Sequence, residues 1–293
     1  MKLNISKSLE HRADFLLLTV ALAWGVTFLM VQDAIKNVPV FSFLFWRFLL
    51  ASVLMFFISY KFIKLIDKDT FKYGVILGVF LFLGFATQTF GLVYTKSSIV
   101  AFLTGLNVII VPFLAYVLFK FHIRLMVIIA SFLAVIGLYL LTLSGELSFG
   151  LGELLAISCA VFFALQILFT GIYSRKVNVY NLVLVQFFVV TFLSLLFSLA
   201  LEPVTFNVEF DYVFVKALII TAIFATVYAF LIQTYMQQFT TPTKTAIIFT
   251  MEPVSAGFYG YFVGNELLSI NQIYGAVIII IAVLLAEIKF KKT

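Results

Sequence analysis

A single acidic side chain interrupts a long apolar run near the end of the chain. Glu252 lies about a dozen residues from either end of the run 242–263, and Pro253 follows it. A carboxylate at membrane depth costs a few kcal/mol, so such residues usually face a cavity or a partner. Proline lacks a backbone N–H, which frees a carbonyl and can kink a helix. Glu252 is therefore a candidate for substrate-amine binding or for proton coupling. A protonated, hydrogen-bonded structural glutamate is the alternative.

A basic and an aromatic residue stand inside the first two apolar runs. Arg47 lies roughly 11 Å from the nearer end of the run 40–62, if that run is helical. It could bind a substrate carboxylate or pair with an internal acid. The alternative is that it extends towards the membrane interface. Trp24 precedes Gly25 in mid-run, where it could form an aromatic wall beside a close helix contact.

Four amides inside the apolar runs are further candidates: Gln88, Asn107, Gln186 and Gln233. Uncharged donors and acceptors can orient a polar ligand without burying a charge. Hydrogen bonds between helices, worth about 0.6 kcal/mol on average, are the alternative role. The predicted substrate-binding set therefore consists of these seven residues: Trp24, Arg47, Gln88, Asn107, Gln186, Gln233 and Glu252.

The composition places these residues in a membrane. The chain has 293 residues, of which 64% are apolar and only 11% are charged. A soluble domain carries about 25% charged residues, so this chain cannot cover a globular surface with charge. That excludes an ordinary soluble enzyme and a disordered chain. The net charge of +6 forms no basic patch with interleaved aromatic residues, so no nucleic-acid partner is expected.

The sequence offers no cofactor chemistry. One cysteine, Cys159, allows no intramolecular disulfide and no cysteine-based metal site. The two histidines, His11 and His122, lie outside the apolar runs, and there is no phosphate-binding Gly-rich loop. We therefore expect no metal, no cofactor and no ATP hydrolysis. The energy for any transport would come from a gradient.

Ten apolar runs are long enough to cross a bilayer, which takes about 20 residues of helix. Their predicted bounds are 13–35, 40–62, 72–94, 97–119, 124–143, 152–173, 181–201, 212–236, 242–263 and 270–288. The connectors are short, so we predict one membrane domain over 1–293. The first run continues beyond a typical signal-peptide core, so we expect it to be a retained span rather than a cleaved leader.

Basic residues predict the orientation of the spans. Fifteen Lys and Arg residues lie at the two termini and in the connectors on the same side of the membrane as the termini. Three lie in the connectors on the other side. Lys and Arg favour the cytoplasmic side. We therefore predict a multi-pass protein of the plasma (inner) membrane with both termini in the cytoplasm.

The chain also contains an internal repeat. The segment 85–90 aligns with 230–235 at an offset of 145 residues, and the first two spans align with spans six and seven at an offset of 139. The shared composition of two Phe-rich and Leu-rich halves is the alternative explanation. Each half, about 13–143 and 152–288, has five spans, so the second must enter the membrane from the opposite side. The alignment pairs Gln88 with Gln233, Asn107 with Glu252, and Arg47 with Gln186.

Several short segments resemble the EamA repeats of the drug/metabolite transporter superfamily. The first half carries them at 24–28, 46–48, 101–106 and 111–112, and the second half at 152–155, 251–254, 264–266 and 275–276. The sequence is thus similar to a ten-span EamA-type transporter over nearly its whole length. Two features depart from that pattern: Asn107 stands where many relatives have an aromatic residue, and the segment around it lacks the proline of the second repeat.

The predicted fold is an all-α integral membrane protein with ten transmembrane helices in two inverted five-helix repeats. The resemblance implies a carrier that exports or exchanges small metabolites, often amino acids. We expect alternating access around a polar cavity, with the lipid bilayer, a small-molecule substrate and candidate coupling protons as partners. A non-transporting scaffold or an integral membrane enzyme is the alternative. A continuous polar path distinguishes the two, because only the carrier needs one. The sequence predicts no oligomeric state.

Overall fold

A computed structural model of the chain describes residues 7–142, 150–202, 206–263 and 269–287. These residues form ten helical spans joined by short connectors, and no strand occurs among them. The first five are α1 (Lys7–Ala34), α2 (Val40–Ser59), α3 (Lys68–Tyr94), α4 (Ser97–Gly105 and Asn107–Phe119) and α5 (Leu125–Thr142). The second five are α6 (Leu151–Tyr173), α7 (Val179–Leu201), α8 (Tyr212–Ile220, Thr221–Tyr228 and Ala229–Met236), α9 (Pro242–Phe249 and Met251–Val263) and α10 (Ile270–Glu287).

The helices confirm the predicted spans to within a few residues. Seven are long and apolar enough to cross a membrane as they stand, α5 and α10 are shorter apolar helices, and α9 is divided into two short segments. The largest differences are at the starts of α1 and α3, which begin earlier than the apolar runs because a polar first turn precedes the apolar core. Asp67 caps α3 by accepting the Thr70 N–H at 2.8 Å. Hydrogen bonds from the Thr70 side chain and backbone hold the pKa of the Asp67 carboxyl below its ordinary value.

Side chains that face outward on this framework are mostly large and apolar. They are strongly exposed on several helices, as at Phe57, Phe132 and Phe192. In water such a surface would associate, but in a bilayer it contacts lipid tails. The buried interior instead contains many polar groups, including Arg47, Gln166 and Gln233. Polar residues inside and apolar residues outside define a membrane-embedded, multi-pass protein.

The two halves pack about a common pseudo-two-fold axis. Helix α5 packs against its counterpart α10, and α2 packs against its counterpart α7. Helix α1 crosses into the second half to contact α9, and its counterpart α6 contacts α4 in the first half. At the α5–α10 contact the backbones are very close, since a Cβ on Gly137 would lie 2.8 Å from the Gly275 carbonyl oxygen. This exchange of equivalent contacts is what an inverted repeat produces.

The same symmetry extends to two pairs of polar side chains on opposite faces. On one face, Thr95 Oγ1 donates to Glu153 Oε1 at 2.7 Å, and Gly150 N–H donates to Glu153 Oε2. On the other face, Thr240 Oγ1 donates to Asp14 Oδ1 at 3.3 Å. The sequence offsets pair Thr95 with Thr240 and Asp14 with Glu153. Equivalent residues therefore connect the first helix of each half to the other half.

The face that carries the two termini has an additional ion-pair network. Lys244 of α9 is only 1% exposed, and its Nζ lies 2.6 Å from Asp14 Oδ2 and 3.2 Å from Glu10 Oε1. Asp14 lies nearly two turns inside α1, and Lys244 lies in the first turn of α9 with its side chain buried. The position equivalent to Lys244 in the first half is Ile99, which carries no charge.

Candidate functional site

A cavity of about 60 Å³ lies between the two halves near the middle of the spans. This space is enough for a few water molecules. Its walls combine charged, amide, hydroxyl and aromatic side chains from α1, α2, α3, α4, α6, α8 and α9. The lining residues are Trp24, Thr27, Phe28, Val31, Arg47, Phe85, Gln88, Thr89, Leu92, Thr104, Asn107, Phe163, Gln166, Ile167, Phe230, Gln233, Phe249 and Glu252.

Arg47 provides the positive charge of this cavity. Its side chain is 3% exposed and lies under the Phe85 ring, with Cζ 4.6 Å from the ring centroid. Nε donates to Thr226 Oγ1 at 2.9 Å, and Nη2 donates to the Ala225 carbonyl at 3.5 Å. Among the described residues it forms no ion pair. Arg47 therefore faces the interior instead of extending to the interface, and its charge is not neutralised by a protein carboxylate.

An irregular stretch of α8 supplies the acceptors that hold Arg47. Over Thr221–Tyr228 the backbone is π-helical, with hydrogen bonds that reach five residues back. Ala229 N–H donates to Phe224 O, five residues back, whereas in a regular α-helix it would donate to Ala225 O. That carbonyl instead accepts Trp24 Nε1 at 2.8 Å and Arg47 Nη2. The change in helix register thus exposes a polar group that fixes Trp24 and Arg47 against the second half.

Glu252 provides the acidic side chain of the cavity, at an interruption of α9. Thr250 separates the two segments of α9, and its Oγ1 donates to Ile247 O at 2.6 Å. The break therefore precedes Glu252 and lies beside Phe249, whose carbonyl would accept the N–H that Pro253 lacks. Helix α4 is interrupted within one residue of the equivalent place, at Leu106, although Val108 stands where the second half has Pro253. In the described part of the chain, the Glu252 carboxylate has no hydrogen-bond or ion-pair partner.

The backbone around Glu252 lies directly against α1. A Cβ added to Gly25 would lie 2.3 Å from the Glu252 carbonyl oxygen and 2.6 Å from Ser255 Cβ. Ser255 Oγ also donates to Leu22 O at 2.9 Å. Only a residue without a side chain allows this contact, and it places Trp24 and Glu252 beside the same cavity.

We expect Gly25→Ala to separate α1 from α9. Two of the clashing atoms are backbone atoms, and overpacking of this kind typically costs about 1–3 kcal/mol. The measurement is the free energy of unfolding in detergent, and the control is Gly91→Ala. There the nearest atom to the added Cβ would be 3.4 Å away, an ordinary contact. Equal stability losses for the two variants would contradict the close packing at Gly25.

A chain of amides extends from the cavity towards the face that carries the two termini, called the terminal face below. Gln233 Nε2 donates to Gln166 Oε1 at 2.9 Å, and Gln166 Nε2 donates to Gln186 Oε1 at 3.4 Å. Gln233 Nε2 also lies 3.4 Å from Gln237 Oε1, and Gln237 Nε2 donates to Ile167 O. Gln88 is the first-half equivalent of Gln233, and its Nε2 lies 3.5 Å from Thr104 Oγ1.

Two amide oxygens in the cavity wall are left without donors. Asn107 Oδ1 and Gln233 Oε1 are buried and have no hydrogen-bond partner. An unpaired buried acceptor costs about 1–3 kcal/mol, so such groups usually await a ligand or water. Together with Glu252 they form an acceptor-rich side of the cavity, opposite in character to the donor Arg47.

The structure brings together six of the seven residues predicted from the sequence. Trp24, Arg47, Gln88, Asn107, Gln233 and Glu252 all line the cavity. Gln186 is fully buried behind Gln166 and reaches the cavity only through that amide. The sequence analysis missed Gln166, whose counterpart at the repeat offset is Thr27, also a lining residue. An isolated amide inside an apolar run was the signal that could have identified it.

An inverted-repeat helical bundle with a polar cavity between its halves defines the class of membrane transporters built from internal repeats. The match to known families agrees with this architecture. The model of the EamA-like transporter family matches residues 11–143 and again residues 150–287. The chain therefore belongs to the EamA-like transporter family and is a membrane transporter. The predicted motif at residues 264–266 lies outside the described residues.

Individual relatives support the same assignment. The chain is 34% identical over 278 residues to an uncharacterized transporter of Archaeoglobus fulgidus, which covers 94% of this chain and 86% of the relative. It is 23% identical over 290 residues to the uncharacterized transporter YoaV of Bacillus subtilis, covering 94% and 97% of the two chains. One protein of known crystal structure superposes with a TM-score of 0.78 at 17% identity, covering 94% of this chain and 96% of the other. That likeness concerns the fold alone.

Proposed function

We propose that this transporter carries small zwitterionic metabolites, amino acids or their derivatives first, by alternating access. The proposal rests on one observation: the cavity contains a guanidinium, Arg47, and a carboxyl group, Glu252, and neither forms an ion pair with the other or with another described residue. Buried charges normally have partners. A ligand that carries one charge of each sign would satisfy both groups at once.

The acceptor side of the cavity suits an ammonium group. An ammonium has three N–H donors and no acceptor. The Glu252 carboxylate, Asn107 Oδ1 and Gln233 Oε1 supply three acceptors that lack partners among the described residues. On the other side, Arg47 would receive the carboxylate of the ligand, a pairing that guanidinium geometry favours.

The remaining walls suit an apolar side chain on the ligand. Trp24 packs against Phe249 and Phe230, with ring centroids 4.9 Å and 5.5 Å apart. Phe85 packs against Phe163 and Phe230 on the neighbouring wall. The cavity of about 60 Å³ is small beside ordinary ligand pockets of roughly 300–1,000 Å³. Helices must therefore move apart for loading, as alternating access requires.

The interrupted helices identify where that movement would occur. Helices α4 and α9 each break beside the cavity, at Leu106 and Thr250, and α8 changes register at Thr221–Tyr228. Discontinuous helices at mid-membrane are typical of substrate sites in secondary transporters. We place the protein in the plasma membrane with both termini cytoplasmic, exporting or exchanging its cargo along a gradient. Glu252 is the residue we assign to proton coupling.

The test is transport by the purified protein in liposomes. Vesicles preloaded with radiolabelled amino acids would be compared with and without a pH gradient. We expect saturable efflux, faster when the gradient is imposed. The proposed cargo would be rejected if efflux of every zwitterion tried were linear in substrate concentration and equal to that from vesicles without the protein. That result would favour the alternative of a non-transporting scaffold.

We expect Arg47→Gln to weaken binding of the ligand carboxylate selectively. Loss of a charged hydrogen bond costs about 1.5–3 kcal/mol, or roughly 10- to 100-fold in affinity. Competition assays would compare an amino acid with the amine that lacks its carboxyl group. The variant should bind the amino acid more weakly and the amine unchanged. A control variant, Lys36→Gln at an exposed site, should alter neither. Equal losses for both ligands in Arg47→Gln would contradict the assigned orientation.

A further inference from the structure

We propose that an anionic phospholipid binds in a groove between α4 and α5, with its phosphate at Lys120. The groove has a volume of about 680 Å³ and lies apart from the central cavity. It is lined by Ile109, Ile110, Pro112, Phe113, Tyr116, His122, Ile123, Ile128, Ser131 and Phe132. This inference concerns a lipid site and does not depend on the cargo proposed above.

The length of the groove matches one leaflet of a bilayer. It extends along the second segment of α4 from Ile109 to the connector at His122. From Ile109 to the end of the segment at Phe119, a helix rises about 15 Å. Half of a hydrocarbon core of roughly 30 Å is also about 15 Å. One acyl chain of the leaflet on the terminal face therefore fits the groove from interface to midplane.

The walls of the groove are apolar and face outward. Phe113, Tyr116 and Phe132 are each more than half exposed, although all three are large. Pro112 lies inside the helix, so the segment has one backbone donor fewer at this level. A recess of this kind would be costly beside water, whereas a lipid tail fills it without an unpaired polar group.

The charge at the mouth of the groove selects the headgroup. The connector Lys120-Phe121-His122-Ile123-Arg124, which follows the C-terminal end of α4, places the two cations Lys120 and Arg124 within five residues. Lys120 Nζ lies 5.3 Å from the centroid of the Tyr116 ring, which itself lines the groove. The cation is thus positioned at the mouth of an apolar groove, where the phosphate of a lipid would lie.

The backbone at Lys120 supports a role for its side chain. Lys120 has φ of 53°, and no other non-glycine residue in the described ranges has a positive φ. It ends α4 in the left-handed region, with its N–H donating to Tyr116 O at 2.9 Å. Glycine takes this cap position most easily, and other residues incur strain there. Keeping a lysine at a strained cap is consistent with a function for the ammonium group.

Native mass spectrometry of the detergent-purified protein would test the site. Phosphatidylglycerol and phosphatidylcholine with identical acyl chains would each be titrated. We expect the wild type to bind phosphatidylglycerol more tightly. Lys120→Gly keeps the helix cap and removes one charge, so phosphatidylglycerol affinity should fall about fivefold while phosphatidylcholine affinity stays unchanged. Ile128→Trp fills the groove and should weaken both lipids.

The matched control is Lys64→Gln, which removes an exposed cation from another connector on the same face. It should leave both affinities unchanged, and circular dichroism would confirm that every variant is folded. Equal binding of the two lipids by the wild type would overturn the proposal. So would a loss in Lys64→Gln as large as that in Lys120→Gly, because that result would indicate a non-specific basic surface.

Discussion

Replacing Glu252 by Gln is expected to abolish saturable transport and its dependence on a proton gradient. The substitution keeps the shape of the side chain but removes the carboxyl group that would bind the ligand ammonium and exchange protons. Removing one partner of a buried charge pair, here the proposed pair with that ammonium, costs about 2–5 kcal/mol, which corresponds to a loss in affinity of roughly 30-fold or more. Initial rates of efflux from liposomes, measured at several internal pH values, report both effects.

The matched control for that variant is Asp33→Asn. Asp33 is an exposed acid that pairs with Lys36, outside the cavity, so the same loss of a carboxylate should leave transport unchanged. Folding of both variants would be checked by their elution on size exclusion. If Glu252→Gln transports at the wild-type rate with the same pH dependence, Glu252 is a structural residue.

Replacing Lys244 by Met is expected to destabilise the protein more than any other single change to its polar network. The substitution would leave Asp14 and Glu10 without the cation that now lies 2.6 Å and 3.2 Å from them. Removing one member of a buried ion pair costs about 3–5 kcal/mol, because the acids lose the cation that balances their charge. The measurement is the free energy of unfolding in mixed micelles.

Two further variants separate charge from packing in this network. Lys36→Met removes a cation from an exposed pair and should change stability by less than about 1 kcal/mol. Adding Asp14→Asn to Lys244→Met removes one of the uncompensated charges and should restore part of the loss. Equal losses in the free energy of unfolding for Lys244→Met and Lys36→Met would show that the buried network stabilises the protein no more than an exposed ion pair does.

The network has a consequence for the transport cycle. It joins α1 to the first segment of α9 on the terminal face, where Arg175 also donates to the carbonyls of Gln237 and Thr240 at 2.9 Å and 2.7 Å. On the opposite face, no described cation forms an ion pair at the equivalent contact between Thr95 and Glu153. Separation of α1 from α9 during the cycle would therefore break an ion-pair network that the described part of the opposite face lacks.

Much of the architecture was predictable because a bilayer imposes a simple rule on sequence. Each span needs about 20 apolar residues, so the ten runs located the ten helices to within a few residues. The odd number of spans in each half then required an inverted repeat. The same alignment placed Gln88 opposite Gln233 and Asn107 opposite Glu252, and all four line the cavity.

The irregular helices were only partly predictable. Gly105 directly precedes the break at Leu106, and Pro253 removes a backbone hydrogen bond beside the break at Thr250, but neither residue fixes the position of a break. The π-helical register of Thr221–Tyr228 has no local signal, and its free carbonyl is used by Trp24 and Arg47, about 200 and 180 residues away in sequence. The burial of Lys244 has no local signal either, because it depends on the acids Glu10 and Asp14 in α1.

A counterflow experiment tests the central claim most directly. Liposomes containing the protein and a high concentration of an unlabelled amino acid would be diluted into a trace of the same labelled compound. A carrier with one cavity of alternating access exchanges the two, so the label should accumulate transiently above its equilibrium level. Glu252→Gln should not accumulate it. Label that enters only to equilibrium, equally in both proteins, would contradict a carrier mechanism centred on this cavity.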